Sequence, residues 1–420
     1  MKKVAFYTLG CRVNQYETQA MKEIFIKKGY EICQYSEKAD VYVVNSCTVT
    51  ATGDKKSRQA LSRAKKQNPD AITILAGCYA QKITPDEARR LNADIILGNN
   101  EKQNVAEIVE KRVEEKQIFV VKDLKDAPYC DMNLESYEEK TRAMIKIEDG
   151  CDRFCSYCII PYVRGPVRCR PFDEIISEAE RLSENGFKEV VVTGIQTAAY
   201  KWDGLTLKDV VVKISEVAGI ERIRLGSLEP VIITDEFLSA MKETGKLCPT
   251  FHLSLQSGSD SVLRRMNRRY NTAIYKEKIE KIMEYFPYAA ITTDVIAGFP
   301  QETETEHRES VEFAGKIGFA HMHVFPYSPR EGTKAALLDG QLEKSLKEKR
   351  TRELNELSEK MHKEFIEKNM GKTYPVLFEQ LTKDGRYEGL TPNYITVKVK
   401  SDTDIRGVIK EITLCEDNIK

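Results

Sequence analysis

No run of about 18 apolar residues occurs anywhere in the chain, which excludes a helical membrane span. The apolar stretch after Met1-Lys2-Lys3 is cut at Gly10-Cys11-Arg12, too short for a secretory signal. Net charge is missing too: Lys+Arg and Asp+Glu both count 65 in 420 residues. That balance argues against a wholesale nucleic-acid coat and leaves room for a local basic patch. The 11 cysteines are odd in number, and without an export signal they predict reduced thiols in a cytoplasm rather than a disulfide framework. What remains is ordinary for a soluble globular protein, with 41% hydrophobic and 31% charged residues. The length predicts roughly three domains.

The densest chemical signal is Gly150-Cys151-Asp152-Arg153-Phe154-Cys155-Ser156-Tyr157-Cys158, a CxxxCxxC run. The spacers are short enough for the three thiols to surround one metal centre. Zinc sites usually pair a CxxC with a second CxxC or with His, and no such pair follows. Three cysteines without a fourth suit a four-iron cluster with one iron open to another ligand. Structural zinc or idle thiols are the alternatives.

Up to about residue 120, short apolar runs (Val4–Leu9, Val41–Val44, Ile72–Ala76, Asp94–Leu97) alternate with helical patterns at Tyr16–Lys28, Gly53–Gln67 and Thr84–Leu91. Thr84-Pro85-Asp86-Glu87 fits an N-cap, Pro at N1 and Glu at N3. Such alternation predicts an open parallel sheet covered by helices. Cys11, Cys47 and Cys78 follow successive predicted strands, and ligands gather at the carboxyl ends of such strands. A second three-thiolate cluster is therefore expected there. Against it stands the habit of free cysteine to act as a small buried hydrophobe.

After an acidic linker around Leu134 to Glu139, a second alternation runs to about residue 330. Its strands are Ala143–Ile147, Glu189–Thr193, Arg222–Gly226, Phe251–Leu255, Ile291–Ile296 and Met322–Phe325. Gly186, Gly219, Gly245 and Gly318 close four of the intervening helices. Six strands with helical crossovers predict a partial (β/α)6 barrel. Polar residues gather just past the strands, at the mouth where such a barrel places its site: Thr193, Gly194, Glu229, Gln256, Ser257, Asp294 and Gly298, joined by Tyr157 of the cysteine loop. Each alone is an ordinary turn residue; the shared position carries the argument. Arg153, Arg164, Arg168 and Arg170, and the run Arg264 to Arg269, are candidates for phosphate contacts. The bland alternative is a solvated face.

Leu342–Lys368 reads as a charged helix bracing the barrel, and Thr373–Glu379, Arg386–Leu390, Ile395–Lys400 and Gly407–Thr413 as antiparallel strands of a small C-terminal β-barrel. Tyr387 and Tyr394 there are candidates for stacking on bases. The expected units are residues 1–125, 140–368 and 369–420.

These motifs together resemble the radical S-adenosylmethionine methylthiotransferases. The likeness rests on Thr8 to Thr18, Asn45 to Thr50, Gly77 to Gln81, the Gly150–Arg164 stretch, Gly298-Phe299-Pro300 and His323–Ser328. The first motif and Cys151–Arg170 are most similar to the tRNA threonylcarbamoyladenosine branch; the isopentenyladenosine branch usually reads Gln-Met-Asn after the first cysteine, and the ribosomal-protein branch differs around the barrel cysteines. The C-terminal strands resemble the family's TRAM domain.

The resemblance implies two [4Fe–4S] clusters. One, on Cys151, Cys155 and Cys158, would bind S-adenosylmethionine, whose reductive cleavage yields the radical that takes hydrogen from carbon 2 of the modified adenine at tRNA position 37. The other, on Cys11, Cys47 and Cys78, would present the methylated sulfur. It also implies tRNA as partner, an electron donor of flavodoxin or ferredoxin type, and a cytoplasmic location. The chain departs from its relatives at Thr197-Ala198-Ala199-Tyr200, where glycines are usual, at Cys169, where Ser is common, and in a short C-terminal segment. An isopentenyladenosine-tRNA or ribosomal-protein substrate, a two-cluster electron carrier and an RNA-binding zinc protein are the alternatives. The expected geometry is two thiol triads facing each other across one cavity.

Overall fold

The computed structural model describes residues 1–112, 117–132, 134 and 141–419; residues 135–139 of the expected acidic linker lie outside them. The first third forms β1 (Lys3–Thr8), α1 (Arg12–Lys27), β2 (Glu31–Cys33), β3 (Val41–Ser46), α2 (Ala51–Gln67), β4 (Ile72–Gly77), α3 (Cys78–Lys82), β5 (Ile95–Leu97) and β6 (Ile118–Val120). The strands make a six-stranded parallel sheet in the order β2-β1-β3-β4-β5-β6. Every residue of β3 is buried, as a strand covered on both faces requires. The sequence pattern misses β2 and β6, which are three half-exposed residues each, too short for a legible alternation. At Thr84 the expected capping box forms: Thr84 accepts from the Glu87 N–H, and Glu87 accepts from the Thr84 N–H.

The central segment contributes β7 (Arg142–Lys146), α4 (Ile160–Arg164), β8 (Glu189–Thr193), β9 (Arg222–Leu225), β10 (Ser227–Leu228), β11 (Thr250–Leu253), β12 (Ala290–Ala297) and β13 (His321–Pro326). Two parallel ladders, β7-β8-β9 and β10-β11-β12-β13, follow one another, with Gly226 alone separating β9 from β10. Between β11 and β12 the chain forms two helices, Asp260–Arg265 and Thr272–Tyr285. In β12 the residues alternate, Ile291, Val295 and Ala297 entering the core while Thr292, Asp294 and Ile296 face the half-open interior. Helix α5 (Lys344–Asn369) braces β13: Ser358 Oγ accepts from the Met322 N–H, and Arg350 reaches Glu302 at 2.7 Å.

The chain ends in β14 (Thr373–Leu381), β15 (Tyr387–Leu390), β16 (Thr396–Val399) and β17 (Ile409–Thr413), an antiparallel sheet in the order β16-β15-β14-β17. It holds its own core of Val376, Phe378, Val397 and Leu414. By contrast, a single core runs from Val4 and Phe25 through Ile145 and Val190 to Phe251 and Leu354, so the first two sheets pack as one body.

Candidate functional site

The CxxxCxxC loop leaves β7 through Gly150, whose φ of +92° and contact with the Pro166 carbonyl leave no room for a side chain. The Cys151 N–H donates to Gly165 O at 3.0 Å, and the Ser156 N–H to Met266 O at 3.0 Å. Phe154 takes a left-handed φ of +47°, with its carbonyl held by Asn267. This is strain at a functional loop, maintained by the contacts around it.

The loop opens on a cavity of about 330 Å³. Cys151, Cys155, Tyr157 and Cys158 line one wall. The strand ends supply Glu229, Ser254, Gln256 and Asp294, and Val49 and Thr50 reach in from the loop after Cys47. Gln256 is held at φ +71° with its N–H bonded to Asp294 O and its carbonyl accepting from Ile296. Of the expected site residues, Thr193, Gly194, Ser257 and Gly298 do not line the cavity. Thr193 is buried in β8, Ser257 turns to Ser310 at 3.1 Å, Gly194 packs on Glu148, and Gly298 packs on Lys347 with its N–H on Glu302. Beside Gly194, Ile195, Gln196 and Ala198 face the cavity instead. Position near a strand end does not reveal which side chains face the cavity.

Two of the three loop thiols have a polar side-chain partner. Arg268 donates to Cys155 Sγ at 3.3 Å. The Gln196 amide, with its oxygen taking Arg153 Nε at 2.7 Å, sets its other terminal atom 3.1 Å from Cys151 Sγ. Burial pushes the Cys151 and Cys158 thiols up to about 12. Arg153 is itself paired with Glu229.

Cys11, Cys47 and Cys78 come together at the carboxyl rim of the N-terminal sheet. Gly10 sits at φ +96° so close to Cys47 that a Cβ there would lie 3.0 Å from its Sγ. Burial and the Cys78 charge push Cys47 up to about 12. The expectation of six thiols facing one cavity is met for one triad: Cys11, Cys47 and Cys78 do not line it. The second triad adjoins the first through packing, with Cys78 buried against Ile159 and Val163, and borders the cavity through Val49 and Thr50. Among the described residues no three His, Cys, Asp or Glu side chains converge as a single ion requires. A four-iron cluster sets each thiolate on a different iron and needs a wider cage. Cationic and amide donors around thiols fit such an anionic group.

Between the triads lies a buried charge network that the sequence did not reveal. Arg164 Nε donates to Cys78 Sγ at 3.3 Å, and Nη1 bonds Glu17 at 2.7 Å and Asp149 at 3.0 Å. Lys146 bridges the same carboxylates at 3.0 and 2.7 Å, and Lys102 pairs with Glu17. Glu17 lies in α1, six residues past Cys11, and Asp149 two before Cys151, so the network ties both cysteine loops together. Burial opposes ionisation of Asp149, yet Arg164 and Lys146 outweigh it and hold its carboxyl at about 2. Glu148 beside it meets the opposite fate: burial raises it to about 8 against backbone N–H groups of Gln196, at 2.6 Å, and Ile195.

Several expected RNA contacts are thereby corrected. Arg164 and Arg170 are fully buried and Arg168 nearly so, committed to internal carboxylates. Arg265 pairs with Glu306 at 2.8 Å, and Arg268 is committed to Cys155. Tyr387 is buried, and the Tyr394 ring lies 4.2 Å from the Arg224 guanidinium. Cys169 accepts the Lys201 N–H at 3.2 Å. An exposed basic strip does exist elsewhere, at Lys55, Arg58, Arg63 and Lys66 of α2.

Comparison with known proteins accords with this picture. A model described as uncharacterized protein family UPF0004 matches residues 3–98, and the radical SAM superfamily model matches residues 145–314. The chain is 41% identical over 412 residues to the threonylcarbamoyladenosine tRNA methylthiotransferase MtaB of Aquifex aeolicus, covering 97% of this chain and 99% of that one. It is 32% identical over 397 residues to the tRNA-2-methylthio-N(6)-dimethylallyladenosine synthase of Pseudothermotoga lettingae, covering 92% and 90%. Among solved structures, the radical S-adenosylmethionine methyltransferase TsrM of Kitasatospora setae shares the fold with a TM-score of 0.58 at 14% identity, over 80% of this chain and 77% of that one.

Proposed function

Because the chain belongs to the tRNA methylthiotransferase family of radical S-adenosylmethionine enzymes, we propose that it adds a methylthio group to carbon 2 of threonylcarbamoyladenosine at position 37 of tRNA. The observation that carries this reading is near-full-length similarity to a threonylcarbamoyladenosine enzyme in a chain with two cysteine triads on adjoining loops. Cys151, Cys155 and Cys158 would hold one [4Fe–4S] cluster, and Cys11, Cys47 and Cys78 a second. When bound, the clusters and S-adenosylmethionine supply one-electron chemistry and the transferable sulfur and methyl group.

The chain's own residues bind, orient and shield. Glu229, Ser254, Gln256 and Asp294 offer polar atoms to the cofactor's charged and hydroxyl groups, with Tyr157 on the opposite wall. Thr193, Gly194, Ser257 and Gly298 act behind them, fixing the turns from which the lining residues project. Arg268, Gln196 and Arg164 donate toward cysteine sulfur, which lowers the cost of negative charge on the thiolates. Apolar Ile159, Ile296 and Phe325 line the remainder and limit water, which would otherwise intercept a reactive intermediate.

We read residues 1–125 as the sulfur-donating domain, 140–368 as the partial radical-SAM barrel with its trailing helix, and 369–420 as a TRAM-like RNA-binding barrel. The basic strip on α2 supports an RNA partner, and a flavodoxin- or ferredoxin-type protein would deliver the electrons. Eleven unpaired cysteines fit the reducing cytoplasm. The test is a nucleoside profile of bulk tRNA from a deletion strain: loss of the methylthio form of threonylcarbamoyladenosine is expected. Undiminished levels, with no second enzyme to supply them, would refute the proposal.

A further inference from the structure

The two relatives compared above carry names that differ in the adenine's N6 substituent, and the difference is one of charge. A threonylcarbamoyl group ends in an ionised carboxylate; a dimethylallyl group is neutral hydrocarbon. If this chain acts on the first, the reading above, its site needs a cation that no internal carboxylate already neutralises.

A second cavity, of about 390 Å³, lies between the start of α1, the start of β7 and the C-terminal sheet, and shares no lining residue with the main one. Four guanidinium groups line the two cavities. Arg153 is paired with Glu229, Arg142 with Glu379 at 2.5 Å, and Arg268 is spent on Cys155. Arg12 is exposed and has no carboxylate within ion-pair distance among the described residues. Its hydrogen bond among the described residues is to a neutral group, Nη2 donating to the Tyr394 hydroxyl at 3.2 Å. Tyr394 is built to receive it: it is held at φ +68°, its hydroxyl also takes Arg142 at 3.2 Å, and its ring stacks on Arg224. Tertiary contacts thus fix a strained tyrosine that aims a free guanidinium.

The location fits as well. Arg12 follows Cys11 directly, so it stands beside the second triad. It is also within electrostatic reach of His323, which pairs across the ladder with the cavity residue Asp294. An adenine that receives sulfur at the second triad must come next to Cys11, and so next to Arg12. Gln15, Thr141 and Gln380 line the second cavity and offer hydrogen bonds to the threonyl hydroxyl and the carbamoyl group.

We propose that Arg12 binds the free carboxylate of the substrate's N6-threonylcarbamoyl group, making the second cavity the subsite that selects an anionic over a neutral substituent. Guanidinium and carboxylate match as a two-bond fork, which a lysine or a neutral amide does not reproduce.

The experiment uses the cluster-loaded full chain and two anticodon stem-loop RNAs. One carries threonylcarbamoyladenosine, the other the same nucleoside with its carboxylate converted to the primary amide. Dissociation constants and kcat/KM are measured for the wild type and Arg12→Gln. The wild type is expected to favour the acid by about 10–100-fold, the worth of one charge-assisted pair. Arg12→Gln should bring the acid down to the level of the amide and leave the amide unchanged. A wild type that binds both RNAs equally overturns the inference while leaving the tRNA reading intact. So does an Arg12→Gln variant that loses the same factor on both. A wild type that binds neither overturns the tRNA reading, and this inference with it.

Discussion

Replacing Arg164 by Met tests whether charge, and not apolar packing alone, holds the two cysteine loops together. The guanidinium is fully buried and bonds Glu17, Asp149, Asn14 and Cys78. Removing one member of a buried ion pair costs about 3–5 kcal/mol, largely because its partner is stranded. Here neither carboxylate would be stranded: Glu17 keeps Lys102 and Lys146, and Asp149 keeps Lys146 at 2.7 Å. What is lost is a set of charge-assisted bonds and the contact to Cys78, so the low end applies, about 3 kcal/mol. With a urea m-value of about 1–3 kcal/mol/M, the first transition of the metal-free protein should fall by roughly 1–3 M, read by circular dichroism. In the loaded protein the Cys11, Cys47 and Cys78 site should also release iron to a chelator about 10–100-fold more readily, since its sulfur loses a donor. Unchanged unfolding and unchanged iron retention would refute the reasoning. So would a more stable variant, the outcome when an ion network costs more to desolvate than it returns.

Glu148→Gln should flatten the pH dependence of stability. Its carboxyl is raised to about 8, so the folded state keeps a proton that the unfolded chain releases from 4.5 upward. The stability tied to that proton is complete below 4.5 and lost as pH rises through 8, at up to about 1.4 kcal/mol per pH unit. The variant should gain on the wild type between pH 4.5 and 8 in paired urea titrations; parallel curves across that window would contradict this. Gly150→Ala places a Cβ 1.9 Å from the Pro166 carbonyl at a positive φ, and should cost roughly 2–4 kcal/mol and empty the loop of iron, as measured by iron content per chain. Cys151→Ala with Cys155→Ala and Cys158→Ala should halve the iron content and abolish 5′-deoxyadenosine formation. The iron left on Cys11, Cys47 and Cys78 should keep its electron paramagnetic resonance signal.

Strands and helices were legible wherever the pattern was long enough to repeat. Glu189–Thr193 has the ends its residues indicate, and the positive φ values of Gly186, Gly219, Gly245 and Gly318 mark the helix ends. β2 and β6 were not, at three residues each. The cavity was half legible: Glu229, Gln256 and Asp294 face it, whereas Thr193, Ser257 and Gly298 stand behind, because position near a strand end does not reveal which way a side chain points.

Local spacing determined the CxxxCxxC loop, since eight residues can close around one centre without help from elsewhere. It also placed Cys11, Cys47 and Cys78 at one rim, because parallel strands end together. Only the tertiary structure decided what the arginines do. Arg164 and Arg170 look like surface cations in the sequence and are buried, while Arg12 looks like part of a cysteine motif and stays free. A charge is neutralised by whichever carboxylate folding brings within a few ångströms, and Glu17 and Arg164 meet from opposite ends of a 147-residue separation.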